Sequence, residues 1–258
     1  MANTVFPKKV IEAKAKDLLN TRVNHRSMMT IDNSLAENEG VTKTVYVYTY
    51  TGKVEKLADG TKNTVRGSIS HTDVDYTVQR AQQVFDYTDS EFMKDNSIVD
   101  TMLNGANDLM VNEMVEDFYN EARKATNTVT ADIDAFCYED VVDAIATLRI
   151  EDESKLFLII PTAWKAQLRK DEDFKSSRAG EILYNGQIGS ICGIPVIATN
   201  ATEYAYVMTN EAIKLFMKED VEVEQDRDIE TKTNTTVLST YYICALVDNS
   251  KICKIDMA

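Results

Sequence analysis

Five carboxylates occupy alternate positions in one stretch of this chain, Glu222, Glu224, Asp226, Asp228 and Glu230. A row of oxygen donors on one face of a strand is the raw material of a divalent-cation site. On an extended backbone, however, alternate side chains stand roughly 6.8 Å apart, too far for neighbours to close on one ion without donors from a second strand. The spacing therefore predicts a solvated acidic face, or one paired with a basic segment, and no metal centre.

A second candidate is residues 186–200, which hold three of the nine glycines and one of the three prolines. Glycines beside a strand let backbone amides approach a phosphate. Here they run G-x-x-G-x-x-x-G, no Lys-Ser/Thr follows, and the strand comes after them where a dinucleotide loop needs it before. Gly189 and Gly193 can take positive φ, Pro195 biases Ile194 to extended geometry, and Ile194, Val196 and Ile197 are β-branched. The stretch predicts a turn feeding a short buried strand.

The remaining chemistry is sparse. His25 and His71 are the two histidines, and no Ser, Thr or Cys sits in an activating motif. Cys137, Cys192, Cys244 and Cys253 form no C-x-x-C pair and read as reduced, buried thiols of a cytosolic protein. No catalytic residue, metal ligand or cofactor is assigned, and the chain is expected not to be an enzyme.

Composition narrows the classes further. With 258 residues, 44% of them hydrophobic, the chain can bury a sizeable core. No apolar run reaches the 18 or so residues of a membrane span, and the N-terminus lacks an apolar signal core, so a soluble, unexported protein is expected. A net charge of -14 disfavours non-specific binding to nucleic acid. Residues 1–30 run against that balance: Lys8, Lys9, Lys14, Lys16, Arg22 and Arg26 face only Glu12 and Asp17. A basic arm on an acidic body suits contact between copies, and a solvated amphipathic helix explains the charges equally well.

The elements that would position these groups follow from periodicity. Pro7, Val10, Ile11, Leu18 and Leu19 predict a short amphipathic helix over residues 8–20, inside an extended arm, 1–40. Val45, Val47 and Thr49 alternate with Tyr46, Tyr48 and Tyr50, and a second β-rich run surrounds Val74, Tyr76 and Val78, predicting a long hairpin. Asp59-Gly60 signals a turn, although Gly52, Asn63 and Gly67 leave the register open. The tyrosines could stack a ligand, but strand packing is their ordinary role. Lys53, Lys56 and Lys62 make the hairpin's tip polar.

The longest helix is predicted over residues 98–124, about 40 Å long, with Ser97 and Asp100 as a capping pair. Its apolar stripe is Ile98, Met102, Ala106, Leu109, Met110, Met114, Phe118 and Ala122, and Gly105 marks a bend or close packing. Residues 126–132 read as a connector. Helices are predicted over 138–148, 162–170 and 210–217, and strands over 155–160, 194–198 and 204–208, with Trp164 a core anchor and 169–180 a surface loop. This alternation predicts a central sheet covered by helices. Strands follow from Val221, over 237–248 and over 252–255.

One stretch carries a family resemblance. Leu156-Phe157-Leu158-Ile159-Ile160-Pro161 with a short helix after it, then Asp173-Phe174, then Gly193-Ile194-Pro195-Val196, resembles the central domain of tailed-bacteriophage major capsid proteins. These share the Hong Kong ninety-seven type fold with encapsulin shells. The flanking segments match that family's element order from about residue 1 to residue 258. The resemblance implies an α+β fold. Its parts are an N-terminal arm (1–40), an E-loop hairpin (41–92), a peripheral domain with the spine helix (93–128), an axial domain (129–218) and returning peripheral strands (219–258).

It implies a structural protein that self-assembles, as pentamers and hexamers, into the icosahedral shell of a virion built in the host cytoplasm. The shell would enclose DNA without sequence-specific binding or a membrane; a separate scaffolding protein and unassisted assembly both stay open, as do a portal and a decoration protein as further partners. The arm cations, Tyr46, Tyr48, Tyr50, Lys53, Lys56, Lys62, Glu222, Glu224, Asp226 and Asp228 become expected contacts between copies. Some family members form covalent links from a lysine of the E-loop. No partner asparagine or catalytic carboxylate identifies itself here, so that chemistry is not carried over. An encapsulin-like compartment is the nearest alternative, and an acidic binding domain or carboxylate enzyme is the alternative from another class.

Overall fold

The computed structural model describes residues 11, 14–15, 28–36, 42–95, 97–132, 136–170 and 189–257. In chain order these form β1 (Thr30–Asp32), the hairpin strands β2 (Thr42–Thr51) and β3 (Ser68–Thr77), β4 (Gln79–Thr88), a short helix α1 (Asp89–Lys94) and the long helix α2 (Ile98–Ala122). Next come β5 (Thr128–Ala131), α3 (Tyr138–Leu148), β6 (Leu156–Pro161), α4 (Thr162–Lys170), β7 (Ser190–Ile191) and β8 (Ile194–Thr199). The described chain ends with β9 (Ala205–Thr209), β10 (Ile213–Asp228), β11 (Thr233–Leu246) and β12 (Ile252–Met257). The strands make a sheet β1-β10-β11-β4, a sheet β5-β12-β9-β6-β8-β7, and the β2-β3 ribbon. Helices and sheets mix as the α+β expectation requires.

β6 shows why the six-stranded sheet sits where it does. All six of its residues are buried, and its alternation divides them between two cores. Phe157 and Ile159 join the core that contains the α2 stripe, while Leu156, Leu158 and Ile160 join Val141, Ala144 and Leu148 of α3 and Trp164 and Leu168 of α4. A strand covered on both faces reads as a continuous apolar run because neither face meets water. Trp164 anchors the second core, 5.2 Å from the Phe136 ring.

α2 runs for 25 residues, about 37 Å at 1.5 Å per residue. Its buried stripe is Val99, Leu103, Ala106, Met110, Met114, Phe118 and Ala122, with Asn107, Val115 and Tyr119 beside it. Ile98 and Met102 lie at the margin of that core, and Leu109 faces outward, because adjacent helical positions differ by 100° and the sheet engages the neighbouring row. Ser97 does not cap the helix; its hydroxyl donates to Asp95 Oδ1 at 2.7 Å. A capping box forms instead at α1, where Glu91 Oε2 accepts from the Thr88 amide and Thr88 Oγ1 accepts from the Glu91 amide. Gly105 is exposed with open space around it, so close packing is not its role.

Four further expectations change. The helix predicted over 210–217 is a turn and the start of β10: Ala212 N donates to Thr209 O at 3.2 Å, and Ile213, Leu215 and Met217 alternate into the α2 core. Phe216 obscured that period because it enters a separate core at the hairpin base. The 126–132 connector contains β5, whose Thr-Val-Thr sequence suits a strand running parallel beside β12. The arm contains β1, which pairs in parallel with Lys214–Phe216 of β10 between the buried Met29 and Leu35.

The last change concerns the terminal strand. β12 lies between β9 and β5 in the six-stranded sheet, not beside the long helix with β10 and β11. Its alternation explains the placement, since Ile252 enters the α2 core and Cys253 and Ile255 the α3-α4 core.

The glycine stretch is a tight hairpin. Cys192 and Gly193 both have positive φ, 51° and 83°, as a two-residue turn of type I′ demands, and Ser190 pairs Pro195 across it. Ile194 is buried, whereas Pro195 is exposed because β8 lies next to the two-residue edge strand β7. Of the predicted 8–20 helix, Ile11, Lys14 and Ala15 are helical, and Ile11 and Ala15 are buried in the α2 core. The rest of that helix, Asp173-Phe174, most of the 169–180 loop and Gly186 lie outside the described residues.

Candidate assembly surface

The β2-β3 ribbon pairs Thr42 with Thr77 through to Thr51 with Ser68, which settles the register. Tyr46 and Tyr50 therefore stand opposite Asp73 and Ile69 on one face, and the Tyr48 backbone pairs with that of His71. The Tyr46 ring meets His71 edge-on at 5.9 Å. Beyond the ladder, residues 52–67 close around Asp59-Gly60, where Gly60 has φ 87° and Thr61 N donates to Ala58 O. Lys53, Lys56 and Lys62 are exposed there, as are Val54, at 95%, and Leu57. Tyr50 is 71% exposed and lies across the two glycines at the neck: a Cβ on Gly67 would stand 2.1 Å from its hydroxyl oxygen.

The base of the ribbon is held quite differently. Val45 is buried with Leu35, Phe216, Ile243 and Ala245 in a small core. Lys43 stacks over the Phe216 ring at 5.1 Å, and Tyr76 Oη donates to Glu121 Oε2 at 3.2 Å on the last turn of α2. Glu121 is only 8% exposed and is also paired with Lys124. Burial, followed by the Glu121 charge, pushes the Tyr76 hydroxyl up to about 12, so it stays a donor at physiological pH. The ribbon is thus clamped at one end and projects at the other.

The predicted acidic row lies on β10. Glu222 is half-buried and Glu224, Asp226 and Asp228 are exposed, opposite Ser239, Val237, Thr235 and Thr233 of β11. Glu230 falls in the turn beyond, its amide donating to Asp228 Oδ1 at 2.8 Å. With the Thr231 hydroxyl as its largest influence, that contact set holds the Asp228 carboxyl below its usual range. Among the described residues no group of His, Cys, Asp or Glu is placed to hold a metal ion. Arg227 points the other way, reaching Asp89 at 2.7 Å beneath the sheet.

Of the arm cations, Lys14 pairs with Asp100 of α2 at 2.7 Å; Lys8, Lys9, Lys16, Arg22 and Arg26 lie outside the described residues. The structure therefore groups Tyr46 and Tyr50 on one ribbon face, the tip lysines beyond it, and the acids on a separate sheet.

Sequence reasoning missed the carboxylates of α2. Asp117 accepts from Tyr242 Oη at 2.8 Å, and burial, reinforced by Glu116 and Glu121, raises its carboxyl above the ordinary range against the pull of that hydrogen bond. The i, i+4 spacing of Asp117 and Glu121 beside the apolar stripe was the available signal. Buried thiols offer no nucleophile: burial drives Cys244 upward and holds Cys253 at about 11. Among the described residues no helix is long and apolar enough to cross a membrane.

Comparison with known proteins gives a consistent picture. A family model described as phage capsid protein matches residues 72–255. The major capsid protein of Staphylococcus phage phiMR11 is 26% identical over 98% of this chain and 94% of its own length. Among solved structures, the capsid of cyanophage P-SCSP1u superposes with a TM-score of 0.72 at 12% identity, covering 92% of this chain and 88% of that one. The virus-like particle of Pyrococcus furiosus gives 0.67 at 13% identity, covering 98% and 100%.

Proposed function

Because the chain belongs to the phage capsid protein family and is a structural capsid protein of the virion, we propose that it closes into an icosahedral shell of pentamers and hexamers around the genome of a tailed phage. The observation that carries the shell geometry is the ribbon: clamped by Val45 and Tyr76 at its base, it carries Tyr46, Tyr50, Val54 and Leu57 into solvent. Apolar side chains held away from their own core gain burial only from a neighbour. The tip lysines, the arm cations and the acidic row Glu222, Glu224, Asp226 and Asp228 supply complementary charge for contacts between copies.

In this reading the N-terminal arm and the ribbon with its tip, 42–77, reach outward, β4, α2, β10 and β11 form the peripheral body, and the six-stranded sheet with α3 and α4 forms the axial body, with β12 in that sheet and Ile252 packed into the α2 core. Assembly takes place in the host cytoplasm, with a separate scaffolding protein, a portal and a decoration protein as partners. The net charge of -14 suits a container for DNA that does not grip it.

The test is sedimentation velocity with negative-stain microscopy at moderate and at low salt. Closed shells, tubes or capsomer rings are expected. A monomer under both conditions, and still a monomer with a cognate scaffolding protein co-expressed, would sink the reading. A cargo compartment is the second reading, favoured by the end-to-end likeness to the Pyrococcus furiosus particle. Nuclease-resistant DNA in particles from the producing host separates the two.

A further inference from the structure

Asp or Asn stands directly before glycine twice among the described residues: Asp59-Gly60 at the ribbon tip and Asn104-Gly105 in α2. Such pairs can react with themselves. The glycine nitrogen attacks the side-chain carbonyl carbon of its neighbour and closes a five-membered imide, and the missing Cβ leaves that approach open. In a free peptide the asparagine pair closes faster, because a carboxamide is a better electrophile than an ionised carboxylate. The fold reverses that order.

Asn104 and Gly105 lie in the second turn of a 25-residue helix, where each amide is tied to the carbonyl four residues back. Turning the Gly105 nitrogen onto its neighbour's side chain would break that ladder. The tip holds nothing comparable. Asp59 and Gly60 are both exposed, at the centre of a turn closed by Thr61 N donating to Ala58 O at 3.1 Å. Gly60, with φ 87°, takes the third place of a type II turn, whose own amide that bond does not use, and nothing lies within 4 Å of where its Cβ would stand. An exposed loop tip leaves the Gly60 nitrogen free to turn toward the Asp59 carboxyl carbon.

We infer that Asp59-Gly60 is a self-modification site, converting to isoaspartate in the native chain. The Gly60 nitrogen bonds to Asp59 Cγ, its proton and the carboxyl hydroxyl leave as water, and the imide ring forms. Water then adds at the main-chain carbonyl carbon of Asp59 and breaks its bond to the Gly60 nitrogen. The backbone now runs through Cβ and Cγ, one methylene longer, and the former main-chain carbonyl is a free carboxylate. Water is released once and taken up once, so the mass is unchanged and no other reagent enters. The added methylene falls between Ala58 and Thr61, whose hydrogen bond closes the tip. The chemistry belongs to the single chain and goes beyond the capsid reading, which stands or falls separately.

The full-length chain, kept unassembled by dilution, is incubated at neutral pH beside a synthetic peptide of residues 57–62 until half of the peptide has converted. Trypsin, cutting after Lys56, Lys62, Lys94 and Arg123, releases residues 57–62 and 95–123 from the chain. A second form of 57–62, equal in mass and separable by reversed-phase chromatography, is expected to accumulate. Electron-transfer fragmentation should place the extra methylene at residue 59, and Asp59→Ser should abolish the second form. Residues 95–123 should gain no mass at Asn104 until the chain is unfolded in urea. A single form of 57–62 in the native chain once the peptide has half converted, or conversion of Asn104 ahead of Asp59, would overturn the inference.

Discussion

A half-buried carboxylate whose neighbours on the helix are also acidic is a local weakness that pH can read. Asp117 accepts from Tyr242 of β11 and feels the charges of Glu116 and Glu121 on its own helix; it lines one cavity with Glu113 and with Arg80 of β4, and a second with Asp75 and Lys124. Its folded carboxyl takes up a proton more readily than the unfolded one, because burial and like charge raise it. Ionised Asp117 therefore costs stability at neutral pH. That cost disappears as pH falls through its raised value toward the ordinary 3.8, below which both states are protonated. Asp89, Glu91 and Asp228, held low by their partners, act in the opposite sense. Asp117→Asn keeps an acceptor for Tyr242 and removes the charge. Its melting temperature should exceed that of the wild type at pH 7, with the gap closing toward pH 4; calorimetry across that range would show it, and a constant gap would refute it.

At the scale of elements, the ribbon is the part whose two ends differ most. Its base is tied to a core and to α2, whereas residues 52–67 cross back with little beyond a Glu55 to Thr64 hydrogen bond and the Asp59-Gly60 turn. Brief proteolysis of the unassembled subunit should cut first inside 52–67, and the same site should be protected in particles; mass spectrometry of the fragments would locate the cut. A first cut elsewhere, or no protection, would contradict the proposed role of the tip.

How far these elements could be read from sequence depended on their surroundings. α3, α4 and β6 were legible because each has one period and one environment, or apolar contact on every side. β10 was misread at its start because Phe216 feeds a different core from Leu215 and Met217, which hides the period of two. β5 was read as a connector and β12 misplaced because the pairing of the two spans more than a hundred residues, and no local pattern encodes it. The acids of β10 and the tyrosines of β2 showed their shared faces at once, whereas the groove beside β4 exists only after the sheet and the helix have met.

For the molecule as a whole, the six-stranded sheet is the shared wall of two cores, and β12 fills the gap between β9 and β5. Deleting residues 252–257 removes Ile252, Cys253 and Ile255, all fully buried, and leaves β5 without its partner strand and β9 paired with β6 alone. At roughly 2–5 kcal/mol for each large aliphatic side chain lost, the deletion exceeds what a typical domain can lose. Near-UV circular dichroism should show no fixed tertiary packing in the truncated protein. On co-expression with the intact chain, the truncated form should not enter particles.

That strand also makes the protein self-timing. A nascent chain can form the ribbon and α2 as they emerge, but the sheet joining its two cores stays open until residues 252–257 are free of the ribosome. Subunits interrupted before that point have no finished body on which to carry a reaching loop. The order of synthesis thereby acts as a check: only a copy that carries β12 has a closed sheet between its two cores.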